Sequence, residues 1–91
     1  MNQLDMKGRS AVITGGAAGI GLAIAQRLAA SGARLSLWDR DRGALDAARQ
    51  ALGSGHLAVA LDVASESDVA AATAATLDEL GRIDVLVCSA G

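Results

Sequence analysis

At 91 residues, of which 52% are hydrophobic and 20% charged, the chain has the apolar content of a globular unit and too little length for more than one. A formal charge of −2 provides no basic surface for a phosphate backbone, which excludes nucleic acid as a partner, and no apolar run reaches the roughly 18–20 residues that span a bilayer, which excludes a membrane. The opening Met1-Asn2-Gln3-Leu4-Asp5 lacks the basic-then-apolar pattern of a signal peptide, so the expected location is the cytoplasm.

Along the chain, short β-rich apolar runs alternate with longer stretches of helical period, the pattern of βαβ units. The first strand is expected at about Ser10 to Thr14. It feeds Thr14-Gly15-Gly16-Ala17-Ala18-Gly19-Ile20-Gly21, a glycine-rich turn that opens directly into a helix. Unpaired N–H groups and the positive end of the helix dipole make such a turn an anion site, and glycines let a pyrophosphate approach the main chain. Ile24 stands where a strict G-x-G-x-x-G would have its third glycine, and Leu22-Ala23 replaces the Lys-Ser/Thr of a nucleoside triphosphate loop.

The first helix is expected from about Gly19 to Ser31, with Ile20, Ile24 and Leu28 stacked at spacing four on one apolar face and Gly32 ending it. A second strand, about Arg34 to Trp38, leads to Asp39, 18 residues after Gly21. An acid there accepts hydrogen bonds from the hydroxyls of an adenosine ribose and repels a 2′-phosphate, so NAD is expected over NADP; Arg40 and Arg42 are the residues that could favour the phosphate instead. The bland role for Asp39 is a cap for the second helix, about Asp41 to Leu52, which turns Leu45, Ala48 and Leu52 inward.

A lone His56, expected at a surface or strand edge, precedes the third strand, about Leu57 to Leu61. Asp62-Val63 follows, placed to meet an adenine edge with a carboxylate and a backbone N–H, or else to form a turn. The third helix begins at Ser65, where Ser65-x-x-Asp68 resembles a capping box, and runs through Val69, Thr73, Thr76 and Leu80 to Gly81. The fourth strand, about Ile83 to Cys88, ends in Ser89-Ala90-Gly91. Cys88, without a partner cysteine, is expected as a small buried hydrophobe, and no metal-ligand spacing is present. Because the strand runs are apolar at consecutive positions, both faces of the sheet are expected to be covered.

These elements fit an α/β fold, a Rossmann-like doubly wound parallel sheet of strand order 3-2-1-4 with three helices, whose crevice lies at the carboxyl ends of the strands. Thr14-Gly15-x-x-x-Gly19-x-Gly21, Asp62-Val63 and Ser89-Ala90-Gly91 together resemble the short-chain dehydrogenase/reductases, over nearly the whole chain. The resemblance implies an NAD(P)-dependent oxidoreductase that interconverts a hydroxyl and a carbonyl on a small alcohol or ketone, working as a homodimer or homotetramer. It implies a cofactor site at Gly15, Ala17, Ala18, Gly19, Ile20, Gly21, Asp39, Arg40, Asp62, Val63, Ser89, Ala90 and Gly91. Cys88 and Ser89 stand where the family has an Asn pair, so a side-chain amide linking adjacent strands is missing.

The family's catalytic Ser, Tyr and Lys lie downstream of Gly91; the chain has no Tyr, and its single Lys7 precedes the first strand. No catalytic residue is therefore assigned. Residues 1–91 are expected to be the N-terminal part of one dinucleotide-binding domain, cut after the fourth strand, that is inactive alone. The alternative is a non-catalytic NAD(P)-binding sensor or regulatory module.

Overall fold

The computed structural model describes residues 5–89. Strand and helix alternate throughout: β1 (Ser10–Thr14), α1 (Gly19–Ala30), β2 (Arg34–Asp39), α2 (Arg42–Leu52), β3 (Leu57–Ala60), α3 (Glu66–Leu80) and β4 (Val85–Cys88). Every expected element is present, with ends displaced by a residue or two. The sheet is parallel and its order is β3-β2-β1-β4.

That order decides where the helices go. The β1–β2 and β2–β3 crossovers step in one direction and the β3–β4 crossover steps back, so right-handed connections put α1 and α2 on one face and α3 on the other. The cores agree. Ala11, Ile13, Leu35 and Leu37 pack with Ala25 and Leu28 of α1 and Leu45 and Ala48 of α2. Val12, Trp38 and Leu61 pack with Ala72 of α3. Residues alternate in side along each strand, so Ser36 and Trp38 face α3 while Leu35 and Leu37 face away from it. Each helix meets the sheet through a buried alanine, Ala25, Ala48 or Ala72, which allows close approach at good helix propensity.

The helix ends follow local chemistry. Asp41 caps α2 by accepting the Ala44 N–H at 3.0 Å, and Ser65 caps α3 by accepting the Asp68 N–H at 3.3 Å. Such a cap contributes about 1 kcal/mol. The capping box is only half formed, since the Asp68 carboxylate accepts from the Asp62 N–H rather than from Ser65. Asp39 is thereby not the cap of α2. Gly32, with φ +99°, lies close against the backbone of Lys7 just beyond α1.

Three expectations are corrected. Ile20 is 76% exposed; α1 meets the sheet through Gly21, Ala25 and Leu28. A stripe at spacing four winds by about 40° per step, so two steps back from Leu28 carry Ile20 off the buried face. The sheet is not covered throughout, because α3 packs over β1, β2 and β3 while Leu86 of β4 is 62% exposed. Cys88 shares that open side of β4 and is exposed rather than buried.

Candidate functional site

The strands end at a cleft of about 690 Å³, walled by the turn after β1, the first turns of α1, the ends of β2 and β4, and the segment after β3. This is the crevice that the reversal of strand order creates.

Its floor is the β1–α1 turn. The pairing of β1 with β2 continues past the last strand residue, as the Gly15 N–H donates to the Trp38 carbonyl at 2.7 Å and the Gly16 N–H approaches the same oxygen at 3.4 Å. This pins the turn before the chain rises into α1. The cap residue of α1 is Ala18, which makes no side-chain cap, and the first turn holds no acid. α2 and α3, by contrast, both carry side-chain caps. The orphan N–H groups at the start of α1 are therefore left for another acceptor, at the positive end of the helix dipole.

Two glycines serve this turn in different ways. Gly19 has φ +59° and nothing near the place a Cβ would occupy, so it needs glycine for its backbone and opens onto the cleft. Gly21 lies beneath the turn. A Cβ on it would stand 2.1 Å from the Gly15 carbonyl oxygen and 3.2 Å from Ser89 Oγ, so glycine there is what lets α1 seat against the turn.

Asp39, half-buried at the end of β2, aims its carboxylate at the turn. Oδ2 accepts the Ala17 N–H at 3.3 Å, and Oδ1 accepts the Arg40 and Asp41 N–H groups at 2.7 and 3.2 Å. The far wall is fixed through Thr14. Its Oγ1 donates to the Val87 carbonyl at 3.4 Å, and the Ser89 N–H divides between Thr14 O and Oγ1 at 3.1 and 3.2 Å. Backbone and hydroxyl thus join β1 to β4 where the sequence offers no side-chain amide.

Of the residues expected here, Gly15, Ala18, Gly19, Ile20, Asp39, Arg40, Val63 and Ser89 line the cleft. Ala17 reaches the site only through its N–H, its side chain being buried in the core. Gly21 supports the turn from below. Asp62 stands off the wall, its carboxylate closing a turn with the Ala64 N–H at 2.9 Å. Ala90 and Gly91 lie outside the described residues.

Sequence reasoning missed Ile24, Trp38, Leu61 and Cys88, all on the wall. Trp38, Leu61 and Cys88 could have been found by position alone, because each sits at or just after the carboxyl end of a strand. Among the described residues there is no helix long and apolar enough to cross a membrane, and no cluster of His, Cys, Asp or Glu fit to hold a metal ion.

Comparisons with known proteins agree with this geometry. The chain is 44% identical over 84 residues to a 2-dehydro-3-deoxy-L-rhamnonate dehydrogenase (NAD(+)) of Sphingomonas sp., an alignment covering 92% of the chain and 33% of the relative. It superposes with TM-score 0.87 and 38% identity on a 3-ketoacyl-(acyl-carrier-protein) reductase from Brucella melitensis complexed with NADH, over 90% of this chain and 34% of that one. An L-sorbose reductase from Gluconobacter frateurii complexed with NADPH and L-sorbose gives TM-score 0.92 and 38% identity, over 99% and 36%. The chain spans about a third of the length of such relatives. The family described as short chain dehydrogenase matches residues 9–91. On that match and this fold, the chain belongs to the short-chain dehydrogenase family.

Proposed function

We propose that the chain is the cofactor-binding part of an NAD(P)-dependent oxidoreductase that interconverts a hydroxyl and a carbonyl on a small molecule, and that NAD(H) is its preferred cofactor. The observation that carries this reading is the position of the Asp39 carboxylate beside a glycine-rich helix start that has no side-chain cap. The related structures bound to NADH and NADPH support it.

The residues present fit such a cofactor. The cradle opened by Gly19 accepts a diphosphate, with the first N–H groups of α1 donating to it. Asp39 faces the adenosine ribose. Three of its roughly four acceptor positions are taken by backbone N–H groups, so one ribose hydroxyl fits at once and a second is accepted where the long Ala17 contact yields. A 2′-phosphate would meet that anion in a partly buried cleft, and the repulsion favours NAD(H). Val63 bounds the adenine side and Ser89 the nicotinamide side. Ala17, Gly21 and Asp62 act from behind the wall, holding the turn and the segment after β3 in place. Arg40 lines the cleft beside Asp39, where it tempers the preference against NADP(H).

The bound nicotinamide supplies or receives the hydride. This chain's part is to hold the dinucleotide and orient it, and the groups that exchange a proton with the substrate belong to the remainder of a longer protein. We propose a cytoplasmic homo-oligomer for that longer protein. Calorimetric titration of the full-length protein should show binding of NADH in preference to NADPH. Failure to bind either, or a complex with the dinucleotide away from the Gly19 turn, would overturn the reading.

A further inference from the structure

We propose that Trp38 is a positioning residue for the adenine side of the cleft, held by a one-way relay of hydrogen bonds that ends on α3. The proposal rests on the dinucleotide reading above and assigns a role to residues which that reading does not use.

Trp38 is the sole aromatic residue of the chain. It is 5% exposed, yet it lines the cleft together with Leu61 and Val63. Its indole faces α3 and packs in one cluster with Val12, Leu61 and Ala72. The indole Nε1–H donates to Ser36 Oγ at 2.9 Å. Ser36 Oγ and Thr76 Oγ1 are 2.8 Å apart, and Thr76 Oγ1 donates to the Ala72 carbonyl at 2.8 Å.

A hydroxyl has one proton, so the direction of the whole relay is fixed. Thr76 gives its proton to Ala72, Ser36 must give its own to Thr76, and Ser36 is left to accept from the indole. Ser36 and Thr76 are both completely buried. Two hydroxyls inside an otherwise apolar layer cost desolvation that valines would avoid, and they are tolerable because every member is paired.

The consequence lies at the cleft. The indole cannot swing without leaving a buried donor unpaired, so it fixes Leu61 and, through it, the start of the segment that carries Val63. Because the polar atom of Trp38 is used inward, the residue offers a ligand only an apolar surface. That suits the flat, apolar body of a purine and leaves polar recognition to the neighbouring backbone. The relay also makes the wall answer to α3, on the opposite side of the sheet from α1 and α2.

The test uses the full-length protein and ADP-ribose, which carries the adenosine and diphosphate without the nicotinamide. Thr76→Val keeps the shape and removes the relay's acceptor, and should weaken ADP-ribose about fivefold to tenfold, part of the cost of one broken buried hydrogen bond. Thr76→Ser restores the hydroxyl and should bind within about twofold of the wild type on the same reasoning. Leu80→Ala loosens the same helix one turn beyond Thr76, outside the relay; it should lower Tm at least as far as Thr76→Val while leaving affinity unchanged. Should Thr76→Val fail to fold, Ser36→Ala serves in its place with the same expected loss.

Wild-type affinity in folded Thr76→Val or Ser36→Ala overturns the proposal. So does an equal loss in Leu80→Ala, or a Thr76→Ser protein as weak as Thr76→Val. Absence of ADP-ribose binding by the wild type would instead overturn the dinucleotide reading, and this inference with it.

Discussion

The carboxylate that closes β2 reaches across to the turn that follows β1: Asp39 Oδ2 accepts the Ala17 N–H at 3.3 Å, while Oδ1 takes the N–H groups of Arg40 and Asp41. One side chain thus braces the glycine-rich turn and brings a carboxylate to the cleft. Asp39→Ala should weaken NADH about tenfold to a hundredfold, the worth of one or two hydrogen bonds to a charged acceptor, and should shrink the preference over NADPH. Asp39→Asn retains a carbonyl acceptor and should keep more NADH affinity while still losing discrimination. The ratio of the two dissociation constants, measured for each variant, decides the matter. A ratio equal to that of the wild type would remove Asp39 from the ribose site.

The two glycines at the start of α1 should fail differently. Gly21→Ala drives a methyl group into the Gly15 carbonyl, an overpacking that costs about 1–3 kcal/mol or more and displaces the turn. Both Tm and cofactor affinity should fall. Gly19→Val puts its Cβ in open space but places a β-branched residue at φ +59°, costing about 1–2 kcal/mol in backbone strain and filling the space for the diphosphate. Its NADH binding should be abolished in a protein that still folds. Normal affinity in folded Gly19→Val would place the diphosphate elsewhere.

Why some of this was legible in sequence, and some not, can be read from particular residues. Strand order and crossover hand follow from alternating elements and a glycine turn, because chirality leaves few alternatives. Asp39 was legible because it combines a strand end with a charge. Ile20 misled: spacing along a helix shows which residues share a side, but not where the sheet stops beneath them. Leu86 and Cys88 misled for a related reason, since an apolar run implies burial on both faces, and coverage is decided by which helix crosses which strand. The Trp38 relay was beyond reach, because Ser36 and Thr76 are 40 residues apart and neither type signals burial.

His56 links pH to the opposite end of the sheet. Its Nδ1 accepts the Leu35 N–H at 3.1 Å, which requires the neutral ring. Burial, and then the nearby Arg34 guanidinium, hold its pKa below 6.5. A histidine whose pKa is lowered on folding contributes stability that is fully present above the unfolded value and is lost as pH falls through it and on through the folded value. Urea midpoints should therefore hold steady from pH 8 to about 7 and decline below about 6.5, the unperturbed histidine value. In His56→Gln, which has no titrating ring, that decline should flatten between pH 7 and about 5.5. Parallel curves for the two proteins would show that His56 is not the group responsible.

Asp84 should govern a lower pH range. Its Oδ2 accepts the Ser10 N–H at 2.8 Å, joining the foot of β4 to the foot of β1, and its Oδ1 is held by Arg82, with Arg9 at 3.9 Å. The hydrogen bond from Arg82, then that from the Ser10 N–H, lowers its pKa below 3.8. For an acid lowered in this way, the stabilisation is complete above the unfolded value and disappears as pH falls through the folded one. Asp84→Asn keeps an acceptor for Ser10 but loses the charge, so it should be modestly less stable at neutral pH, where exposed ion pairs contribute little. The gap should close as the wild type is acidified below about pH 4, where carboxylates begin to protonate. Asp84→Leu should lose more at neutral pH, because Ser10 is buried and its N–H would have no partner. Unfolding curves for the three proteins between pH 7 and about pH 3 separate the two contributions, since only the charge titrates in that range. If Asp84→Asn and Asp84→Leu are equally stable at neutral pH, the backbone hydrogen bond is not what joins the two strands.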